Sequence, residues 1–121
     1  MLKKNFEFRK VLSKGKYYSG DNIEVFILKN NKSLNFIGLA ISTKTGKAYI
    51  RNKIKRLIRE NYKNLEKNLK DGYNIVFLWK KNKSTENAKY STIEKDMKKI
   101  FDKANIIQEN KEKIWKKYLF L

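Results

Sequence analysis

At 121 residues the chain fits one domain with a single hydrophobic core. Thirty Lys and Arg against twelve Asp and Glu give a net charge of +18, while 40% hydrophobic residues supply enough apolar surface to fold. The absence of Cys and His excludes disulfides, thiolate and imidazole metal sites, and the commonest nucleophile–base pairs. Such a charge calls for a polyanionic partner, nucleic acid ahead of a membrane surface.

The amino terminus, Met1–Lys10, is charged but has no apolar stretch after it, so no targeting segment is read there. A short amphipathic helix is predicted from about Lys4 to Ser13, with Phe8 and Leu12 four apart on one face and Val11 beside them. After Gly15, a short strand near Tyr17 leads into Ile23–Leu28, which is rich in strand formers. Asn30-Asn31-Lys32 reads as a hairpin turn and Leu34–Ser42 as the returning strand.

A helix is predicted from Gly46 to Leu69 at the furthest, before Asp71-Gly72 breaks the chain. Tyr73–Trp79 then reads as a strand buried on both faces. Its run Ile75–Trp79 is the longest aliphatic and aromatic stretch, far short of a membrane span, so the chain reads as soluble and cytoplasmic. Lys80–Lys89 is a polar loop. Ser91 is expected to cap a last helix, with Glu94 completing a capping box. Ile93, Met97, Ile100, Phe101 and Ala104 form its buried stripe. The whole, 1–121, reads as a single α+β domain with a core over about 4–107 and a tail, 108–121, of unassigned role. In that tail, Trp115 and Leu119 are expected to pack on the domain rather than touch a membrane.

The second helix carries the chemistry. Only four arginines occur in the chain, and Arg51, Arg56 and Arg59 fall together on this helix. Ile50, Ile54, Leu57, Ile58 and Leu65 make one apolar face. Arg51, Lys55, Arg59 and Lys63 follow at i, i+4 spacing on the other side, with Asn52 and Arg56 just behind. An ordinary solvated face would alternate acids with bases, yet Glu60 is the only acid between Lys44 and Lys63. Like charges at this spacing repel by a few tenths of a kcal/mol per pair. An anion removes that penalty, and guanidinium grips phosphate with two parallel hydrogen bonds. The helix alone leaves RNA or DNA open. Thr45-Gly46-Lys47-Ala48 is not a nucleotide-phosphate loop, because no glycine stands at the required upstream spacing and no Ser or Thr follows the lysine.

The segment Ser42–Tyr62 resembles the signature of the protein subunit of bacterial ribonuclease P. That signature runs roughly Ser-x-Lys-x-Gly-Asn-Ala-x-x-Arg-Asn-Arg-x-Lys-Arg-x-x-Arg-Glu. Lys53 stands where a third motif arginine is usual, and Lys47 where asparagine is usual. The resemblance extends more weakly over about residues 4–107. It implies a ribosomal-protein-S5-domain-2-like fold: a mixed sheet of about four strands with helices against it, in the order α-β-β-β-α-β-α. It also implies that catalysis resides in an RNA subunit, which removes the 5′ leader from precursor tRNA. The partners implied are that catalytic RNA and precursor tRNA, with no DNA and no membrane. No cofactor is expected on the protein, and Mg²⁺ is required by the RNA-containing holoenzyme.

By the same resemblance, Lys44, Lys47, Arg51, Asn52, Lys53, Lys55, Arg56 and Arg59 contact the catalytic RNA. Phe8, Leu12, Phe26, Leu28, Ala40 and Ser42 form the leader-binding cleft. Read from the residues alone, Phe8, Leu12 and Phe26 are ordinary core, as apolar stripes usually are; the resemblance reassigns them. Strand alternation puts Leu28 on the face of Phe26, and Ala40, Ser42 and Lys44 on one face of a neighbouring strand. It also puts Glu24 beside Phe26, a poor neighbour for a phosphate chain. Two rival readings are a general RNA-binding module of ribosomal-protein type and a self-sufficient nuclease. Scattered carboxylates disfavour the second.

A helix face that neutralises about five phosphates makes RNA affinity fall roughly 10²–10³-fold between about 50 and 200 mM salt. Filter binding across that range checks this, and a flat profile removes the electrostatic face.

Overall fold

A computed structural model describes residues 1–2 and 4–108. The expectation that Trp115 and Leu119 pack on the domain lies outside the described residues. The elements in chain order are α1 (Asn5–Lys14), β1 (Lys16–Ser19), β2 (Ile23–Lys29), β3 (Phe36–Leu39), α2 (Ala48–Leu65), β4 (Tyr73–Trp79) and α3 (Tyr90–Lys103). Short 3₁₀ turns occupy Thr43–Thr45, Glu66–Asn68 and Thr85–Asn87. This is the α+β order expected, and the short strand near Tyr17 is present as β1.

The four strands form one mixed sheet in the order β1-β2-β4-β3. Neighbours are antiparallel except β3 and β4, which are parallel. One expectation fails here. β2 and β3 are not a hairpin, because β4 lies between them. The reason is burial: β4 carries the nearly continuous apolar run, and Ile75, Val76 and Phe77 are wholly buried. A strand of that composition belongs in the sheet interior, with a neighbour on each side. The short β3 is left to the edge, and α2 is the crossover between the two parallel strands. The turn chemistry at Asn30 was read correctly but serves another path. Asn30 Oδ1 accepts from the Lys32 N–H at 2.7 Å, and Asn30 Nδ2 donates to Leu34 O and to Asn74 Oδ1. The chain is thereby carried across the start of β4. Gly72 enters β4 at φ +98°, where a side chain would be strained.

The true hairpin joins β1 to β2, and a buried carboxylate closes it. Asp96 of α3 accepts the backbone N–H groups of Asp21 at 3.1 Å, Asn22 at 2.8 Å and Ile23 at 3.3 Å. Asn61 of α2 is also buried; its Nδ2 donates to Leu57 O at 3.0 Å and to Tyr90 O at 3.2 Å. That second bond ties α2 to the start of α3. The start itself differs from expectation. Helix α3 begins at Tyr90, so Ser91 lies inside the first turn, and the Lys89 N–H donates to Thr92 Oγ1 at 3.3 Å. Thr92 takes the place assigned to Glu94.

One sheet face carries the main core. Ile23, Val25, Ile27, Ile75, Phe77 and Trp79 pack under Ile54, Leu57, Ile58 and Tyr62 of α2 and the α3 stripe. The Phe77 ring meets Tyr62 and Phe101 edge-on, each with centroids 6.2 Å apart. The Tyr62 phenol is pushed well above its ordinary pKa by this burial, with Glu66 nearby adding to the shift. The opposite face is covered only in part, by α1 and the amino terminus. There Leu2, Val11 and Val76 are buried, and six further apolar residues are half-buried around them.

Asp96→Ala leaves three backbone N–H groups without their charged acceptor, and stability falls by about 3 kcal/mol. Guanidinium unfolding measures the loss; a change under about 0.5 kcal/mol removes Asp96 as the closure of the hairpin.

Candidate nucleic-acid interface

The basic helix presents, as a ridge, most of the face read by spacing, with two of its residues drawn towards the core. Asn52, Lys53, Arg56, Arg59 and Lys63 are exposed, whereas Arg51 and Lys55 are half-buried. The cause is the buried Tyr62, which widens the packed stripe beyond Ile54, Leu57 and Ile58. At about 100° per residue, that widening brings Arg51 and Lys55 to the rim of the packed face. The Nε of Arg51 is shielded from solvent and has no hydrogen-bond partner among the described residues. A buried donor left unpaired costs about 1–3 kcal/mol. Arg56 meets the helix's one acid inside the motif, Glu60, at 3.7 Å, but both side chains are more than half exposed. An exposed pair of that length restrains Arg56 very little.

The ridge begins at a loop rich in donors. Ser42 Oγ accepts from the Lys44 N–H at 3.2 Å and starts the 3₁₀ turn. Lys47 is the cap position of α2, makes no side-chain cap bond, and no acid follows in the first turn. The positive end of the helix dipole is therefore unopposed beside two lysines.

The second sheet face supplies the groove, as three rows running across the strands. The middle row is Tyr17, Phe26, Val76 and Gly38. Phe8 of α1 lies on Gly38, where a Cβ would come within 2.6 Å of the Phe8 ring. The Tyr17 and Phe26 rings are 5.2 Å apart at 58°. Glu24, Leu78 and Ala40 form a row at one strand end, and Leu28, Asn74 and Phe36 a row at the other. A depression of about 420 Å³ opens over the first of these, rimmed by Ser42, Lys44, Lys80, Lys81 and Lys83.

Of the cleft residues expected, Phe8, Phe26, Leu28 and Ala40 share this half-buried cluster. Ser42 lies at its rim. Leu12 is outside the cluster and 37% exposed. Sequence reasoning missed Leu78, which the alternation of β4 already places beside Val76, and the lysines of the 80–83 loop. It also missed Tyr17, which resolves the problem of Glu24. The Tyr17 hydroxyl donates to the Glu24 carboxylate. That hydrogen bond, aided by burial, raises the Tyr17 pKa, so the phenol stays protonated and donating well above neutral pH. Among the described residues no cluster of three or more His, Cys, Asp or Glu could hold a metal, and no helix is long and apolar enough to cross a membrane.

A mixed sheet with one half-covered aromatic face, joined by a basic loop to a basic helix, defines an α+β nucleic-acid-binding domain. The family model described as Ribonuclease P matches residues 1–105, and the chain belongs to that family. It is 40% identical over 106 residues to the ribonuclease P protein component of Clostridium botulinum (strain 657 / Type Ba4), covering 87% of this chain and 94% of that one. The corresponding protein of Clostridioides difficile (strain 630) is 37% identical over 106 residues, covering 87% and 91%. The solved structure of the Staphylococcus aureus RNase P protein superposes with a TM-score of 0.77 at 25% identity, covering 88% of this chain and 96% of that one.

Tyr17→Phe leaves the Glu24 carboxylate unpaired in the groove, and affinity for single-stranded RNA falls about two- to fivefold. Adding Glu24→Gln restores it. Equal binding by Tyr17→Phe and the unchanged protein, in fluorescence titration, rejects this role for Tyr17.

Proposed function

We propose that this chain is the protein subunit of a ribonuclease P whose RNA subunit, with bound Mg²⁺, cuts the 5′ leader from precursor tRNA. The chain supplies binding and no reacting group. Lys44, Lys47, Arg51, Asn52, Lys53, Lys55, Arg56 and Arg59 neutralise phosphates of the catalytic RNA, where strands and metal ions crowd together. Lys53 brings charge without the planar fork, so its contact is a point charge.

Phe8, Phe26, Leu28, Ala40 and Ser42 hold the single-stranded leader, with Leu12 at the exposed margin. Phe26 and Tyr17 offer ring faces on which any base can stack, so the groove accepts leaders of unrelated sequence. The observation that supports this reading most is continuity. The chain passes from β3 through Ala40, Ser42, Lys44 and Lys47 into α2 with no intervening element but one 3₁₀ turn. RNA lying on the helix is thus delivered directly to one end of the groove.

Reconstitution tests the proposal. Cleavage of precursor tRNA at low Mg²⁺ requires both this chain and a catalytic RNA; cleavage by the purified protein alone rejects it. Arg56→Lys preserves charge and removes the fork, and lowers affinity for the catalytic RNA about tenfold, the scale of one charge-assisted bond. A loss no greater than that of Lys63→Arg makes the arginine clustering incidental.

A further inference from the structure

The far row of the sheet face is built for RNA as well, and no role has been given to most of it. Phe36 ends the row on β3, and Phe6 of α1 stands over the same end, 63% exposed. Folding gains little from an aromatic ring left that open. Each ring carries an ammonium: Lys32 Nζ lies 5.2 Å from the Phe36 centroid and Lys4 Nζ 5.7 Å from that of Phe6. A depression of about 360 Å³ lies between them, with Lys10 and Lys29 also on its wall. Its one acid, Glu7, already accepts from the Lys4 N–H at 3.5 Å. Flat apolar surface ringed by four lysines fits a nucleotide, base on ring and phosphate on ammonium.

We infer a second single-stranded RNA subsite here, formed by Phe6, Phe36, Lys4 and Lys32, which takes leader nucleotides upstream of those on Phe26. The inference rests on the proposed function and extends it. The occupant is leader rather than catalytic RNA because of position. The subsite shares the face of the groove but lies at the opposite strand end from the Ala40–Lys47 loop. From Glu24 to Leu28 is four residues along β2, or about 13 Å at about 3.3 Å per residue. RNA arriving from α2 crosses Phe26 before it reaches Phe36. A short leader therefore never touches the subsite, and a long one does.

The test uses holoenzyme reconstituted from the full chain and its catalytic RNA, with two precursor tRNAs. One leader is too short to pass Phe26, and the other extends beyond it. With unchanged protein the long leader binds more tightly. Phe6→Ala and Phe36→Leu each reduce the long-to-short affinity ratio about fivefold or more, the scale of one lost stacking partner. Phe36→Leu keeps most of the packing volume, and thermal melts of both variants verify folding. An unchanged ratio overturns the inference. So does an equal loss for both leaders, which assigns the surface to the catalytic RNA or the tRNA body. If the unchanged protein gives no cleavage support and no dependence on leader length, the proposed function itself fails, whatever the variants do.

Discussion

The whole arrangement depends on one strand that cannot meet water on either face. β4 is apolar almost throughout, so it must have strands on both sides and cover above and below. The main core provides the cover on one side through α2 and α3. On the other side, among the described residues, only α1 and the first residues give cover. Val76 is buried by that scant layer, while Phe26, Leu28, Phe36 and Leu78 around it are only half-covered. Among the described residues, the groove is what remains where an interior strand has helices packed fully on one face and only α1 on the other.

The same constraint distributes the charge. With α2 packed on one sheet face, Lys53, Arg56, Arg59 and Lys63 point away from the core while Arg51 and Lys55 lie at its rim, and Glu60 is the only acid among them. Two acids elsewhere are held by hydrogen bonds. Asp96 is buried against the β1–β2 turn, and Glu24 is held by Tyr17. The net charge of +18 is carried with Glu60 as the only acid between Lys44 and Lys63. Self-repulsion of that size opposes the compact state, and the proposed binding of RNA on the ridge would remove it. Binding and folding are linked in the same direction.

Much of this was legible from the residues. The apolar run of β4, the stripes of α2 and α3, and the turn at Asn30 all follow from local pattern. What failed did so for non-local reasons. The hairpin expected between β2 and β3 depended on which strand would win the interior place, and only competition with the distant Tyr73–Trp79 decides that. The half-burial of Arg51 and Lys55 was missed because Tyr62, which lies between them, is packed against Phe77 of a distant strand. The awkward placing of Glu24 was visible, but its answer was not. Tyr17 comes to it through the pairing of a four-residue strand too short to assert itself in a pattern.

The motif and the groove differ in how far side-chain identity matters. In the proposed groove, stacking accepts any base, so Phe and Tyr can exchange places wherever a ring face is kept. On α2, fork geometry and point charge are not equivalent. The chain keeps Arg51, Arg56 and Arg59 while lysine serves almost everywhere else, including position 53. Lys53 is exposed, where a mobile ammonium can find a phosphate without a fixed approach. Arg51 is half-buried, with a shielded Nε, so its remaining donors are oriented before any RNA arrives. At Arg51 the guanidinium is held at the rim of a packed face before binding, whereas the exposed Arg56 and Arg59 must fix their forks as they bind.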